Sequence, residues 1–258
     1  MSTIISVVNQ KGGVGKTTTT VNLSATLATM GKRVLIIDLD PQGHSTEHIG
    51  FGERSTTKQS VLEVIMGSIT PKNAVHTTYK KNLWIMPSNL RLGLFNQMPP
   101  EGNYYKLRDA FSAEFQKDFD YIIIDCQPSL SLLTLNALIS SNQVLMPVQS
   151  EFLALDGLSQ LIVTFKEVRA KYQPSLNVLG VVLTMYDKRN RLSAEIRKEL
   201  ERNFGDNLFD TVIPRSVRFA EAPSFGKAIS DYAPHSDGAR AFEKLAREIE
   251  AKLALKNV

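Results

Sequence analysis

Short apolar runs rich in β-branched residues alternate along the chain with longer stretches whose apolar positions recur at helical spacing. The first run, Ile4 to Val8, is followed by a helical pattern from Thr17 to Met30, a Gly31-Lys32 turn and a second run, Arg33 to Asp38, which predicts a β-loop-α-turn-β unit. Tyr121-Ile-Ile-Ile-Asp-Cys126 is apolar nearly throughout and too short for a helix, as expected of a strand covered on both faces. Further strands are predicted at Val144 to Val148, Val178 to Thr184 and Phe209 to Pro214, with helical patterns at Leu153 to Tyr172 and Ser193 to Phe204 between them. Strands alternating with helices imply an α/β fold, a mostly parallel, twisted sheet flanked by helices on both faces.

From Gly50 to Asn103 the pattern is less regular. It holds a helix candidate at Val61 to Met66, a strand candidate at Leu83 to Met86 containing the only tryptophan, Trp84, and a loop-like Asn96-Gln-Met-Pro-Pro-Glu-Gly-Asn103. The segment reads as an insertion-like flank of one domain spanning 1–258, and Trp84 reads as core. Near the end Ala239, Phe242, Leu245, Ala246, Ile249 and Leu253 form one apolar helical face, expected to dock on the sheet; a membrane-binding helix is the alternative.

Composition narrows the class. In 258 residues, 43% hydrophobic and 22% charged, a sizeable core can form. A single cysteine, Cys126, excludes a disulfide framework or a cysteine cluster within one chain, and the opening residues lack a signal-peptide pattern, so a reducing cytoplasm is expected. No apolar run approaches a bilayer span. The net charge of +4 is compatible with a polyanionic partner without requiring one.

The chemistry concentrates where the first run meets the first helical pattern, in Asn9-Gln-Lys-Gly-Gly-Val-Gly-Lys-Thr-Thr18. Gly12, Gly13 and Gly15, with Val14 between them, permit backbone N–H groups to close around a phosphate, and the helix that follows adds its dipole. Lys16 can then reach the terminal phosphates, Thr17 can ligate Mg²⁺ and Thr18 can donate to a phosphate oxygen. Two features are unusual: Gln10 stands where the common pattern has its first glycine, and a second lysine, Lys11, precedes the glycines. Two apolar runs carry acids at their carboxyl ends, Asp38-Leu-Asp40 and Asp125, on the side of a parallel sheet where ligands bind. Asp125 is expected to hold Mg²⁺ through water, and Asp38 is a second acid able to do so. Either Asp38 or Asp40 could orient an attacking water.

Basic residues cluster at Lys188-Arg-Asn-Arg191 and at Arg215, Arg218 and Lys227, a distribution suited to phosphate contacts that ignore base sequence. Asp187, Glu195 and Glu221 are interleaved with them, so a solvated mixed-charge face is the competing reading. His44 and His48 have i, i+4 spacing, but polar surface is expected of them ahead of a zinc pair.

Lys11-Gly-Gly-Val-Gly-Lys-Thr17 resembles the deviant Walker A loop of the ParA/MinD ATPases, where the position of Gln10 need not be glycine. Asp38-Leu-Asp-Pro-Gln-Gly43, Asp125-Cys-Gln-Pro-Ser-Leu130, Glu151-Phe-Leu-Ala-Leu-Asp-Gly-Leu-Ser-Gln-Leu161, Thr184-Met-Tyr-Asp187 and Ile213 to Lys227 are similar to the chromosome-partitioning ParA (Soj-like) branch, over Ile4 to about Ile249. The resemblance implies a P-loop ATPase using ATP and Mg²⁺. It implies a homodimer formed face to face with ATP, non-specific DNA binding by that dimer on the nucleoid, and a ParB-type activator protein that stimulates hydrolysis. It further implies that Lys11 reaches across to the partner's phosphates, that Asp40 orients water and that Asp125 is the magnesium-side acid. Met185, within Thr184 to Tyr186, and Pro214, Arg215 and Val217 fall in the family's adenine-binding segments; position in the family favours Arg189 and Arg218 as DNA contacts, and Lys188 and Lys227 of the same basic clusters are further candidates. Gln127 departs from the usual second proline and is expected either to be neutral or to tune hydrolysis.

A MinD-like membrane-associated ATPase is the runner-up, but it needs a basic amphipathic tail, and Leu253 to Val258 carries one cation. Membrane attachment is therefore not expected. The iron-sulfur branch lacks its cysteines, and a metabolic kinase would need a small-molecule pocket. With so few residues before Ile4, site-specific operator binding is not expected either.

Overall fold

The computed structural model describes residues 2–52, 57–151 and 154–255, the side chains of 154–157 excepted; positions 152–153 of the Glu151 string and 256–258 of the tail lie outside the described residues. The predicted runs form strands whose bounds move by a residue or two: β1 Thr3–Val7, β2 Val34–Leu39, β4 Leu83–Met86, β5 Tyr121–Cys126, β6 Gln143–Gln149, β7 Asn177–Tyr186 and β8 Leu208–Pro214; a two-residue strand that the pattern does not predict, β3 His76–Thr77, joins them. They join one sheet in the order β3-β4-β2-β5-β1-β6-β7-β8, parallel except for the β3–β4 pair. The connection after β1 crosses to β2 on one side, while β6 lies against β1 on the other, so the crevice where crossovers diverge opens at the carboxyl ends of β1, β2 and β5.

Strand alternation sorts the core into two layers. Val34 and Ile36 of β2 and Tyr121 and Ile123 of β5 pack with Val21, Leu23 and Leu27 of the helix Lys16–Thr29 and with Phe242, Leu245 and Ile249 of the helix Asp237–Leu255. Leu35, Ile37, Ile122 and Ile124 face the other way, onto the helices Leu132–Ser140 and Ala154–Lys171. The period of two therefore turns Asp38 and Asp125, register partners on adjacent strands, toward the Lys16–Thr29 helix.

The terminal helix docks as expected, with Ala239, Phe242, Leu245, Ala246 and Ile249 buried and Leu253 partly buried. Trp84 is half-buried and meets Phe119 edge to face. One expectation changes: residues 50–103 are no insertion, because β4 pairs in register with β2 and extends the same sheet. The Asn96–Asn103 loop begins inside a 3₁₀ helix, Leu90–Gln97.

Candidate nucleotide site

The Lys16–Thr29 helix starts at Gly15 in the left-handed region, φ 87°, with no side-chain cap and no acid in its first turn. Its leading N–H groups are thus left for a ligand, and the absence of a carboxylate there keeps the dipole available to an anion. Gly13 also has a positive φ, 76°, whereas Gln10 does not, which explains why a side chain is tolerated at position 10. The Lys16 Nζ donates to the Lys11 carbonyl at 2.8 Å and is 7% exposed, so its chain lies folded over its own loop. Burial pushes the Lys16 ammonium below its ordinary pKa, opposed by the nearby Asp125 and Asp40 carboxylates. The Lys11 N–H donates to Asn9 Oδ1 at 3.0 Å, and its side chain stays half-exposed at the rim. Thr184 Oγ1 donates to the Val14 carbonyl at 2.8 Å, tying the loop to the end of β7.

Asp125 accepts from Thr17 Oγ1 at 2.7 Å, Ser45 Oγ at 2.7 Å and Thr20 Oγ1 at 3.3 Å. A fully buried carboxylate surrounded by hydroxyl oxygens, one of them from the phosphate loop, is a donor set suited to a hard, hydrated divalent cation. The residues fit Mg²⁺: Thr17 and Asp125 would hold such an ion, which would offset phosphate charge.

Asp38 lies inside β2, not at a solvated strand end. It accepts from Thr46 N at 2.8 Å, Thr46 Oγ1 at 2.7 Å and Asp40 N at 3.2 Å, so protein donors already occupy both its oxygens. Burial raises its pKa to about 7, helped by the charge of Asp125 and opposed by the Thr46 bonds; burial also raises the pKa of Asp125. Asp40 follows the strand, 8% exposed, with Oδ1 accepting from Gln42 N at 2.9 Å and its carbonyl accepting from Ser88 Oγ at 2.6 Å.

Ser45, Thr46 and Ser88 are site residues the sequence reading missed. The available signal was the small hydroxyl pair one residue after Asp38 to Gly43, overshadowed by the histidine spacing. Those two residues lie in the first turn of a five-residue helix, His44–His48. Within it His44 is exposed but His48 is buried, contrary to the surface role expected, and no cluster of metal-binding side chains is present among the described residues. Burial lowers the His48 pKa to about 4, opposed by its hydrogen bond to the backbone of Lys227. Its neutral form therefore supports the fold fully above pH 6.5, and that support is lost as pH falls toward 4, because the unfolded chain protonates first. Relative to His48→Gln, wild-type stability in urea titrations should drop by about 2 kcal/mol between pH 7 and 5. Parallel pH profiles for the two proteins would refute this.

Gln127 donates from Nε2 to Ser131 Oγ, the cap of the Leu132–Ser140 helix. This amide braces a helix start and is already engaged within the protein.

Pro214, Arg215 and Val217 line an open groove with Tyr186, Lys188 and Arg189 at the carboxyl ends of β7 and β8. Met185 sits beside it with φ 52°, its carbonyl accepting from Ser150 Oγ at 3.1 Å. Arg218 and Lys227 are exposed on the neighbouring segment outside that groove. Arg189 is paired with Asp187 at 3.0 Å, which pulls the Asp187 pKa down to about 2. Lys188, Arg215, Arg218 and Lys227 make no salt bridge among the described residues.

A family model described as an AAA domain matches residues 2–178. The chromosome partitioning protein ParA of Caulobacter vibrioides is 43% identical over 249 residues, 95% of this chain and 93% of that protein. The chromosome-partitioning ATPase Soj of Thermus thermophilus is 44% identical over 250 residues, 96% of each chain. Among solved structures, cobyrinic acid a,c-diamide synthase from Mycobacterium smegmatis with bound ATP analog and magnesium matches with a TM-score of 0.82 at 34% identity, covering 96% of this chain and 93% of that one. The phosphate loop, the buried acids and this near full-length identity agree: the chain belongs to the ParA/Soj family of chromosome-partitioning ATPases, P-loop enzymes that use ATP and Mg²⁺.

Proposed function

We propose that the protein is an ATP-dependent DNA-partitioning switch. Mg-ATP brings two copies together face to face, the pair binds DNA without reading sequence, and a ParB-type partner stimulates hydrolysis and resets it. The observation that carries this reading is the unequal setting of the two lysines. Lys16 is buried against its own loop, while Lys11 stands at the rim with its main chain fixed at both N–H and carbonyl. A rim cation can serve a second copy's phosphates, which couples nucleotide state to pairing and stabilises charge on the transferring group. In this reading Thr17 and Asp125 hold the Mg²⁺ side, Asp38 braces the neighbouring loop and Asp40 orients water. Gly12 to Thr18 cradle phosphates, and Met185, Pro214, Arg215 and Val217 receive the adenine.

The unpaired Lys188, Arg218 and Lys227, with Arg189, supply the DNA surface. A membrane role is less well supported: the apolar face of the Asp237–Leu255 helix is spent on the sheet, and no helix among the described residues is long and apolar enough to cross a bilayer. The protein is expected to sit on the nucleoid in the cytoplasm.

The decisive experiment measures DNA affinity with ATP, ADP and no nucleotide across a salt series. Binding should require ATP and weaken steeply with salt, and Arg218→Ala should flatten the log–log salt slope by about 1 for every DNA tested. Equal binding in all three nucleotide states would sink the switch, as would ATP-dependent sedimentation with anionic vesicles in place of DNA.

A further inference from the structure

The segment from Pro214 to Ile229 carries Arg218 and Lys227; besides an Ala228 N–H bond to Tyr79 Oη at 2.9 Å and the packing of Phe219 on Phe242, three attachments tie it to elements that reach the nucleotide site. At its start the Arg215 N–H donates to the Tyr186 carbonyl at 3.2 Å, on β7. At its end the Ile229 N–H donates to Asn22 Oδ1 at 2.6 Å, on the Lys16–Thr29 helix. Both of these supports are long elements packed into the core. The middle support differs: it is the five-residue helix His44–His48, through the His48 bond to the Lys227 backbone and a contact of Gly50 with Gly226.

That contact is backbone against backbone. A Cβ added at Gly226 would lie 2.9 Å from Gly50 Cα, and one at Gly50 would lie 3.3 Å from Gly226 Cα. Both glycines have positive φ, 79° and 63°, so neither position accommodates a side chain without a shift. The other end of the short helix touches the nucleotide site. Ser45 donates to Asp125 Oδ2, the same oxygen that accepts from Thr17, and Thr46 donates twice to Asp38 Oδ2. A ligand that recruits the Thr17 hydroxyl removes one of the two donors on that oxygen and changes what holds Ser45. The His44–His48 helix is too short to hold its conformation alone, so its position follows its two end attachments.

We propose that the helix His44–His48, with His48 and the Gly50–Gly226 contact as positioning elements, transmits the state of the Asp38–Asp125 pair to the surface bearing Arg218 and Lys227. This rests on the DNA-switch reading for its biological consequence, but the mechanical link is testable by itself. The contact is close-packed main chain and transmits displacement with little slack. The physical warrant for such coupling is an element whose arrangement responds at both ends.

The test is hydrogen exchange on the full chain, with and without a non-hydrolysable ATP analogue and magnesium, alongside DNA binding. In the wild type, exchange in peptides covering 44–51 and 218–228 should change together. In Gly226→Ala, 44–51 should still respond while 218–228 no longer does. Nucleotide affinity should stay within about threefold, and the ATP-dependent gain in DNA affinity should fall at least tenfold. His48→Gln, which keeps volume and a donor, should show a smaller loss of the same kind. The link is overturned if 218–228 in the wild type ignores nucleotide, if 44–51 does so, or if Gly226→Ala keeps both responses. Should Gly226→Ala fail to fold, the wild-type exchange pattern decides alone. Absence of ATP-dependent DNA binding in the wild type would count against the switch reading, while coupled exchange would still establish the link.

Discussion

Lys11→Ala is expected to bind ATP within about threefold of wild type, to lose ATP-dependent dimers, and to hydrolyse ATP on the order of 10³-fold more slowly, the scale of a transition-state cation supplied in trans. The geometry separates these effects. The Lys11 N–H is bound to Asn9 Oδ1 and its carbonyl to Lys16 Nζ, and alanine keeps both groups, so the loop that holds the nucleotide retains its shape. Only the rim side chain is lost. Lys16→Ala should behave differently, since Lys16 is buried among Asp125, Asp40 and the loop carbonyl: its loss leaves the acids without their nearest cation and weakens nucleotide binding itself. A fluorescent-nucleotide titration, sedimentation with ATP and phosphate release measure the three quantities. Wild-type dimers and turnover in Lys11→Ala would refute the division of labour between the lysines.

The contrast between what was legible and what was not follows the range of the interactions. Strands buried on both faces are apolar at nearly every position, so Tyr121–Cys126 and its neighbours announce themselves locally, and the phosphate loop does so through glycines whose conformations few other residues adopt. The sheet's far edge was not legible: β3 has two residues, and β4 is a strand of this sheet only because it pairs with β2, a contact made across a gap of more than forty residues. Ser45, Thr46 and His48 look like polar surface by composition, but Ser45 and Thr46 are buried against Asp125, Asp38 and Ser88, and His48 against the Lys227 backbone, all contacts distant in sequence or across the site. Asp38 reads from sequence as a strand-end acid; its two-sided engagement by Thr46 and Asp40 depends on a turn whose closure no local pattern specifies. For the basic cluster the sequence already showed the acids in between, and the structure says which cations they take: Arg189 and Arg191 are paired, while Arg218 and Lys227 make no salt bridge among the described residues.

Asp40→Asn is expected to hold ATP and remain paired while turnover falls by about 10²- to 10⁴-fold, the range for losing a positioned acceptor of a proton. The substitution is chosen because asparagine can keep Oδ1 as acceptor for the Gln42 N–H, and the main chain at 40 stays held by Asp38 and Ser88. What changes is the second oxygen, which becomes an uncharged NH₂ that donates and can no longer accept a proton from water. If DNA release follows hydrolysis, this variant should also leave DNA more slowly than wild type with ATP present, and a normal turnover rate would remove Asp40 from the water-orienting role. Mixing the two variants then tests where Lys11 acts. If each site uses its own Asp40 and the partner's Lys11, a pair of Lys11→Ala with Asp40→Asn keeps one cross-subunit lysine and contains one complete site, so mixing restores turnover that neither protein has alone. If Lys11 serves its own subunit, each site in that pair lacks one of the two groups, and mixing two inactive proteins restores nothing.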